Sequence, residues 1–255
     1  MAFAPYIPAL SKMIIKKAIL LCAGLLFTQL TMAQSQAWGG GADQNDLSFG
    51  FSFQYILQDY KIIKQPNWRE PIVNPENGSN ITSPITSISS RSTPGFTVGF
   101  ITRYRLTEHL EARTTPALVF ADRELNYTFE KAADDLNRQI QTTTVDVPLL
   151  LKLRSDRINN FRAYVLGGVK YSMAVSKGKP NNNEAPLQQK IMNKRGFASY
   201  EAGFGCDIYF EFFKMSPEIK VGNSFGNVLV AGNTPLARPI DKLFLHSIMF
   251  SLHFE

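Results

Sequence analysis

Between Leu47 and Gln58 hydrophobicity alternates strictly. Leu47, Phe49, Phe51, Phe53, Tyr55 and Leu57 share one phase; Ser48, Gly50, Ser52, Gln54, Ile56 and Gln58 share the other. A period of two belongs to a β-strand, so one face is apolar and aromatic while the other is small and mostly polar. About ten residues is also the length a tilted strand needs to cross a bilayer. A repeated pattern of this kind calls for closure, because lipid offers no partner for an unpaired backbone group.

The pattern recurs. Phe96, Val98, Phe100, Thr102, Tyr104 and Leu106 oppose Gly95, Thr97, Gly99, Arg103 and Arg105. After a tight turn at Thr107 to His109, Leu110, Ala112, Leu118 and Phe120 oppose Glu111, Arg113 and Thr115. Val145, Val147, Leu149, Leu151 and Leu153 oppose Asp146, Lys152 and Arg154. A fifth strand sets Ala163, Val165, Val169, Tyr171 and Met173 against Arg162, Lys170 and Ser172. A sixth sets Tyr200, Ala202, Phe204, Cys206, Ile208 and Phe210 against Ser199, Glu201, Gly203, Gly205 and Asp207. Met215, Ile219 and Val221 face away from Glu218 and Lys220, and Phe244, Ile248, Phe250, Leu252 and Phe254 face away from Ser247, Ser251 and His253. Connections near 106–109, 155–160 and 211–214 are short; those at 59–94, 123–141, 176–196 and 226–242 are long. The expectation is an all-β fold: an eight-stranded antiparallel transmembrane β-barrel over residues 47–255, with short periplasmic turns and long extracellular loops.

Alternation alone also fits a soluble barrel turned inside out. The polar face, however, mixes Arg, Lys, Glu and Asp with Gly and Ser, which suits a packed lumen better than a soluble exterior. The aromatics fall at strand ends, Phe49, Tyr104, Phe210 and Phe254 on one rim and Phe96, Phe120, Tyr200 and Phe244 on the other, as an interfacial girdle requires. Three prolines strain this reading. Pro116, Pro148 and Pro217 lie inside expected strands, where each deletes a ladder hydrogen bond, so bulges or shifted strand ends are expected there. His246 falls on the lipid-facing phase, which asks for a register slip or a place near the outer rim.

The N-terminus reads as an export signal over residues 1–33. Lys12, Lys16 and Lys17 precede an apolar run from Ala18 to Leu30, and Thr31-Met32-Ala33 offers a small-residue cleavage site. Met13 is an alternative start. Residues 34–46 form a short N-terminal periplasmic segment. Cleavage removes Cys22 and leaves Cys206 without an intramolecular partner. The net charge of +6 includes the three leader lysines, so the exported chain is too weakly basic to argue for nucleic acid.

Eight strands enclose a lumen filled by side chains. Arg103, Arg105, Arg113, Lys152, Arg154, Arg162, Lys170 and Lys220 are expected to pair there with Glu111, Asp146, Glu201, Asp207 and Glu218, as a structural plug. The three histidines, His109, His246 and His253, lie away from the long loops and make no Ser-His-Asp arrangement, so the chain reads as non-enzymatic. No Cys/His cluster offers zinc ligands, and Glu130, Asp134 and Asp135 lack the spacing of a calcium loop. No cofactor, metal or small-molecule substrate is expected. Within loop 59–94, Pro66-Asn67-Trp68-Arg69-Glu70-Pro71 makes Trp68 and Arg69 candidate partner contacts, since Trp and Arg are favoured interface anchors. Its later part, Asn77 to Thr93, is rich in Ser, Thr and Asn and reads as mobile. Lys177-Gly178-Lys179-Pro180-Asn181-Asn182-Asn183 reads as a similar surface loop.

Pro94-Gly95-Phe96, Arg103-Tyr104-Arg105-Leu106, Leu110-Glu111-Ala112-Arg113 through Pro116, Val145-Asp146-Val147-Pro148-Leu149-Leu150-Leu151-Lys152 and Arg162-Ala163-Tyr164-Val165-Leu166-Gly167-Gly168 together resemble the PorT family of outer-membrane barrels. The similarity runs over roughly 47–254. It implies an accessory role in the type IX secretion system, which in some bacteria also supports gliding, with outer-membrane lipid and other secretion proteins as partners. The family carries no site residue across to this chain. The competing reading is a loop-mediated adhesion or ligand-binding barrel.

Overall fold

The computed structural model describes residues 45–74, 77–175, 185–189, 191–230 and 234–255. The expected signal, the alternative start at Met13, residues 34–44 and the stretch Lys177 to Asn183 lie outside them. Ten β segments appear: β1 (Leu47–Lys64), β2 (Ile85–Arg91), β3 (Thr93–Arg105), β4 (Leu110–Thr114), β5 (Ala117–Phe129), β6 (Leu136–Arg154), β7 (Phe161–Ala174), β8 (Gly196–Tyr209), β9 (Lys214–Ser224) and β10 (Ile240–Phe254). Only Ser92 separates β2 from β3, and both pair with β5. Likewise β4 and β5 share β3 and β6 as neighbours. The ten segments therefore make eight walls. The ring closes because β1 pairs antiparallel with both β3 and β10. Among the described residues no helix is long and apolar enough to cross a membrane.

The pleat points as the alternation requires. Phe51, Leu149 and Phe204 are 57, 62 and 60% exposed, whereas Arg113 and Glu201 are 1 and 2% exposed. A soluble inside-out barrel would reverse these values. Outward aromatics pack along the wall, with Phe51 and Phe100 5.5 Å apart and Phe96 stacked on Phe120 at 4.8 Å. At the short-turn end Phe210 stacks on Phe213 at 4.7 Å. Phe244 departs from the expected girdle: it is half-buried opposite Lys61, beyond the exposed apolar band. His246 keeps its register and sits near the outer rim, where Nδ1 lies 2.9 Å from Asp59 on the neighbouring strand.

Leu149 is the middle of the five outward apolar positions on β6, so it should lie near mid-bilayer. Leu149→Arg is expected to lower unfolding stability by about 2–4 kcal/mol, the depth-dependent cost of a cation on the lipid face. Urea unfolding in liposomes reads this directly; an unchanged midpoint would place Leu149 out of contact with lipid.

Two expectations need correction. The long connections are shorter than 59–94, 123–141 and 226–242, because β1 runs to Lys64, β2 starts at Ile85, β5 reaches Phe129, β6 starts at Leu136 and β10 starts at Ile240. Within the Ser- and Thr-rich stretch Asn77 to Thr93, Ile85–Arg91 is strand β2. The expectation for the prolines holds only at Pro116, where strand ends fall. Pro116 interrupts the wall between β4 and β5, but register is unchanged across it, from Thr102↔Thr114 to Gly99↔Ala117. Pro148 and Pro217 stay inside β6 and β9 without a bulge. The ladder loses donors there while its alignment holds, and the Thr114 hydroxyl donates to the Pro148 carbonyl at 2.7 Å.

Candidate functional site

Inside the membrane-spanning half, inward positions from every wall converge on one ionic network. Glu111 on β4 accepts from Arg103 at 2.6 Å and Arg154 at 2.5 Å, with Lys152 3.7 Å away. Lys152 reaches both Asp207 oxygens at 2.8 Å, and the Ser216 hydroxyl donates to Asp207 at 2.6 Å. Arg103 and Lys214 share the Glu255 carboxylate at 2.9 and 2.8 Å. Higher in the lumen, Glu218 accepts from Arg113 at 2.6 Å and from Tyr164 at 2.9 Å, with Lys220 and His253 each 3.4 Å away. Lys170 then bridges Glu201 at 2.7 Å and Asp146 at 3.0 Å. Tyr164 joins the two groups, since its ring also carries the Lys152 ammonium at 3.8 Å.

Seven cations, Arg103, Arg113, Lys152, Arg154, Lys170, Lys214 and Lys220, thus face six carboxylates, with no side chain more than 9% exposed. Near-neutrality is a physical requirement, because one isolated ion moved into a dry interior costs on the order of 20 kcal/mol. A residual cavity of about 20 Å³ beside Thr97, Thr115, Lys170 and Glu201 is of one-water size. Of the lumen residues expected to pair, Arg105 and Arg162 sit half-buried at the short-turn end and the rest are in the ionic groups described above; Trp68 and Arg69 lie at the outer cap. Tyr164, Lys214, Ser216 and Glu255 were missed. For Tyr164, Lys214 and Glu255 the signal was present, as each falls on the inward phase of its strand or its continuation.

Above the network the lumen changes character. Tyr60, Ile85, Leu125, Tyr127, Leu236, Leu243 and Leu245 form an apolar core with other buried residues. The Tyr127 hydroxyl donates to the Leu236 carbonyl at 2.7 Å, tying β5 to the segment before β10. Burial raises its pKa, since a phenolate would be desolvated. The connection 65–84 is pinned over this core by Gln65 N–H to the Pro239 carbonyl at 3.0 Å and Ile85 N–H to the Arg69 carbonyl at 3.0 Å. Ser83 donates twice to Asp134, from N–H at 2.8 Å and hydroxyl at 2.7 Å, which holds that carboxyl below its usual range. Trp68 is half-buried against the core and Arg69 is exposed.

Each imidazole pairs with a carboxylate: His109 with Asp156 at 2.9 Å, His246 with Asp59 and His253 with Glu218. Among the described residues no serine hydroxyl bonds to any of them, and no group of His, Cys, Asp and Glu could hold a metal ion.

A closed ring of lipid-facing strands around a neutralised polar lumen defines an integral outer-membrane β-barrel protein. The chain belongs to the family described as the outer membrane protein beta-barrel domain, which matches residues 32–230. No curated protein matches its sequence. Similar solved structures include OprG from Pseudomonas aeruginosa, 13% identical over 82% of this chain and 92% of that one, with a TM-score of 0.46. Ail, the attachment invasion locus protein of Yersinia pestis, solved with the heparin analogue sucrose octasulfate, is 14% identical over 81% of this chain and 96% of its own, with a TM-score of 0.36. The outer membrane protein AlkL, solved in lipid bilayers, is 11% identical over 88 and 92%, with a TM-score of 0.36.

Proposed function

We propose that the protein is a sealed, non-enzymatic barrel that acts through contacts with other proteins in or at the outer membrane. Its role is that of an accessory component of the type IX secretion apparatus, and of gliding where the host glides. The observation that carries this reading is the doubly blocked lumen, with an ionic network below and an apolar core above. Such an interior suits a scaffold rather than a conduit. The secretion assignment draws on the PorT-like motifs, which lie on strands β3, β4, β6 and β7 and on the turn after β3.

Deleting the gene should retain cargo with a C-terminal secretion signal inside the cell, and the intact gene should restore its release. Normal release by the deletion strain would remove the secretion role. A second reading, surface ligand binding by the outer connections, is favoured by a cleft between residues 67–73 and 235–239, lined in part by Trp68; it predicts normal release together with lost binding.

A further inference from the structure

On the outer cap a cleft of 170 Å³ opens between residues 67–73 and 235–239. Its lining includes Asn67, Trp68, Glu70, Pro71, Pro235 and Arg238. An engineered apolar cavity of about 150 Å³ takes up one benzene, so the space suits a single six-membered ring. Pro71, Ile72, Val73, Pro235 and Pro239 make up an apolar lining, and Asn67, Glu70 and Arg238 a polar one.

Two cations lie over the Trp68 ring and a third lines the cleft. The Lys64 ammonium lies 3.9 Å and the Arg69 guanidinium carbon 5.1 Å from its ring centroid, and Arg238 forms part of the wall. Among the described residues no carboxylate lies within ion-pair reach of any of the three. Glu70, the acid in the lining, accepts instead from the Asn67 amide at 3.2 Å. Burial, and then the charge of Arg69, hold the Lys64 pKa below its ordinary value. Three cations against the single Glu70 carboxylate of the lining leave net positive charge, the arrangement that an external anion relieves.

We propose that this cleft binds one sugar ring bearing an anionic substituent, phosphate or carboxylate, on the outer side of the membrane. The apolar C–H face of the ring lies against Pro71, Pro235 and Pro239, with Trp68 beside it. Its hydroxyls bond Asn67 and Glu70, and the anionic group meets Arg238 in the lining and the exposed Arg69 side chain beside it. An inorganic anion alone would make no use of the apolar lining, and an apolar ligand none of Arg238. The ring can come from an outer-leaflet glycolipid or from a soluble acidic sugar. The inference goes beyond the secretion role and stands whether or not that role holds.

The chain has two tryptophans, so Trp38→Phe leaves Trp68 as the sole reporter. This protein, refolded in detergent, is titrated with glucose 6-phosphate, glucose, inorganic phosphate, lipopolysaccharide and an acidic hexapeptide. The expected result is a saturable change in Trp68 fluorescence with glucose 6-phosphate, at least tenfold tighter than with glucose or phosphate. Arg69→Ala and Arg238→Ala should each weaken it about tenfold, the loss of one charge-assisted bond. Both residues are exposed, and migration of unheated samples on a denaturing gel checks that each variant is folded. Tighter binding of lipopolysaccharide identifies the lipid source, and equal or weaker binding the soluble one. No saturable response, insensitivity to both arginine variants, or tighter binding of the acidic peptide overturns the proposal.

Discussion

Glu218→Gln is expected to lower the unfolding stability of the barrel by about 3–5 kcal/mol, the usual cost of removing one partner from a buried ion pair. Glu218 is the hub of the upper ionic group, holding Arg113 at 2.6 Å and Tyr164 at 2.9 Å, with Lys220 and His253 beside it. A neutral amide leaves the Arg113 guanidinium enclosed without its counter-charge. The loss therefore comes from desolvation, not from the missing attraction alone. Replacing both partners, as in Arg113→Met with Glu218→Leu, should recover most of the deficit, because no charge is then stranded. Urea unfolding in liposomes compares the three proteins. Equal midpoints for Glu218→Gln and the parent would mean that water reaches the carboxylate and the lumen is not dry.

Leu125→Ala acts on the other half of the interior. Leu125 is fully buried in the apolar core above the membrane, where it packs with Tyr60, Tyr127 and Leu243. Truncation there should cost about 2–5 kcal/mol, combining lost transfer energy with the hole left behind. The effect should differ in place from that of Glu218→Gln. Amide exchange should quicken in the outer parts of β5 and in 225–245, while amides of β6 and β7 within the membrane keep their protection. Uniform acceleration around the whole ring would show that cap and lumen open as one unit.

The wall was readable from the sequence because lipid imposes a strict rule. Every outward position from Phe49 to Tyr55 must be apolar, so the period-two signal carries both strand direction and face. The ionic network was readable for the complementary reason, since charges on the inward phase must find one another once the ring closes. The apolar cap was not read, although its signal exists. On β5 the outward series Leu118, Phe120 turns into Asp122, Glu124, Asn126, while the inward side becomes Leu125, Tyr127, Phe129. On β1 the same exchange replaces Tyr55 and Leu57 by Asp59 and Lys61, with Tyr60 and Ile62 now inside. The oily phase shifts by one residue where lipid gives way to water. Taken as the end of a strand, that shift lengthens the loops; taken as a change of solvent, it extends the strands. Glu255 continues the inward phase of Ser251 and His253 one residue beyond β10, and the β9–β10 pairing sets Lys214 alongside it; it escaped because the inward phase was read only to His253.

This exchange of phase also works as a waterline. Sinking the molecule by two residues along β1 or β5 would drag Asp59 or Asp122 into hydrocarbon, and raising it equally would lift phenylalanines into water. Vertical position is thereby written into the wall itself, which keeps the Trp68 cleft at a fixed height above the lipid surface.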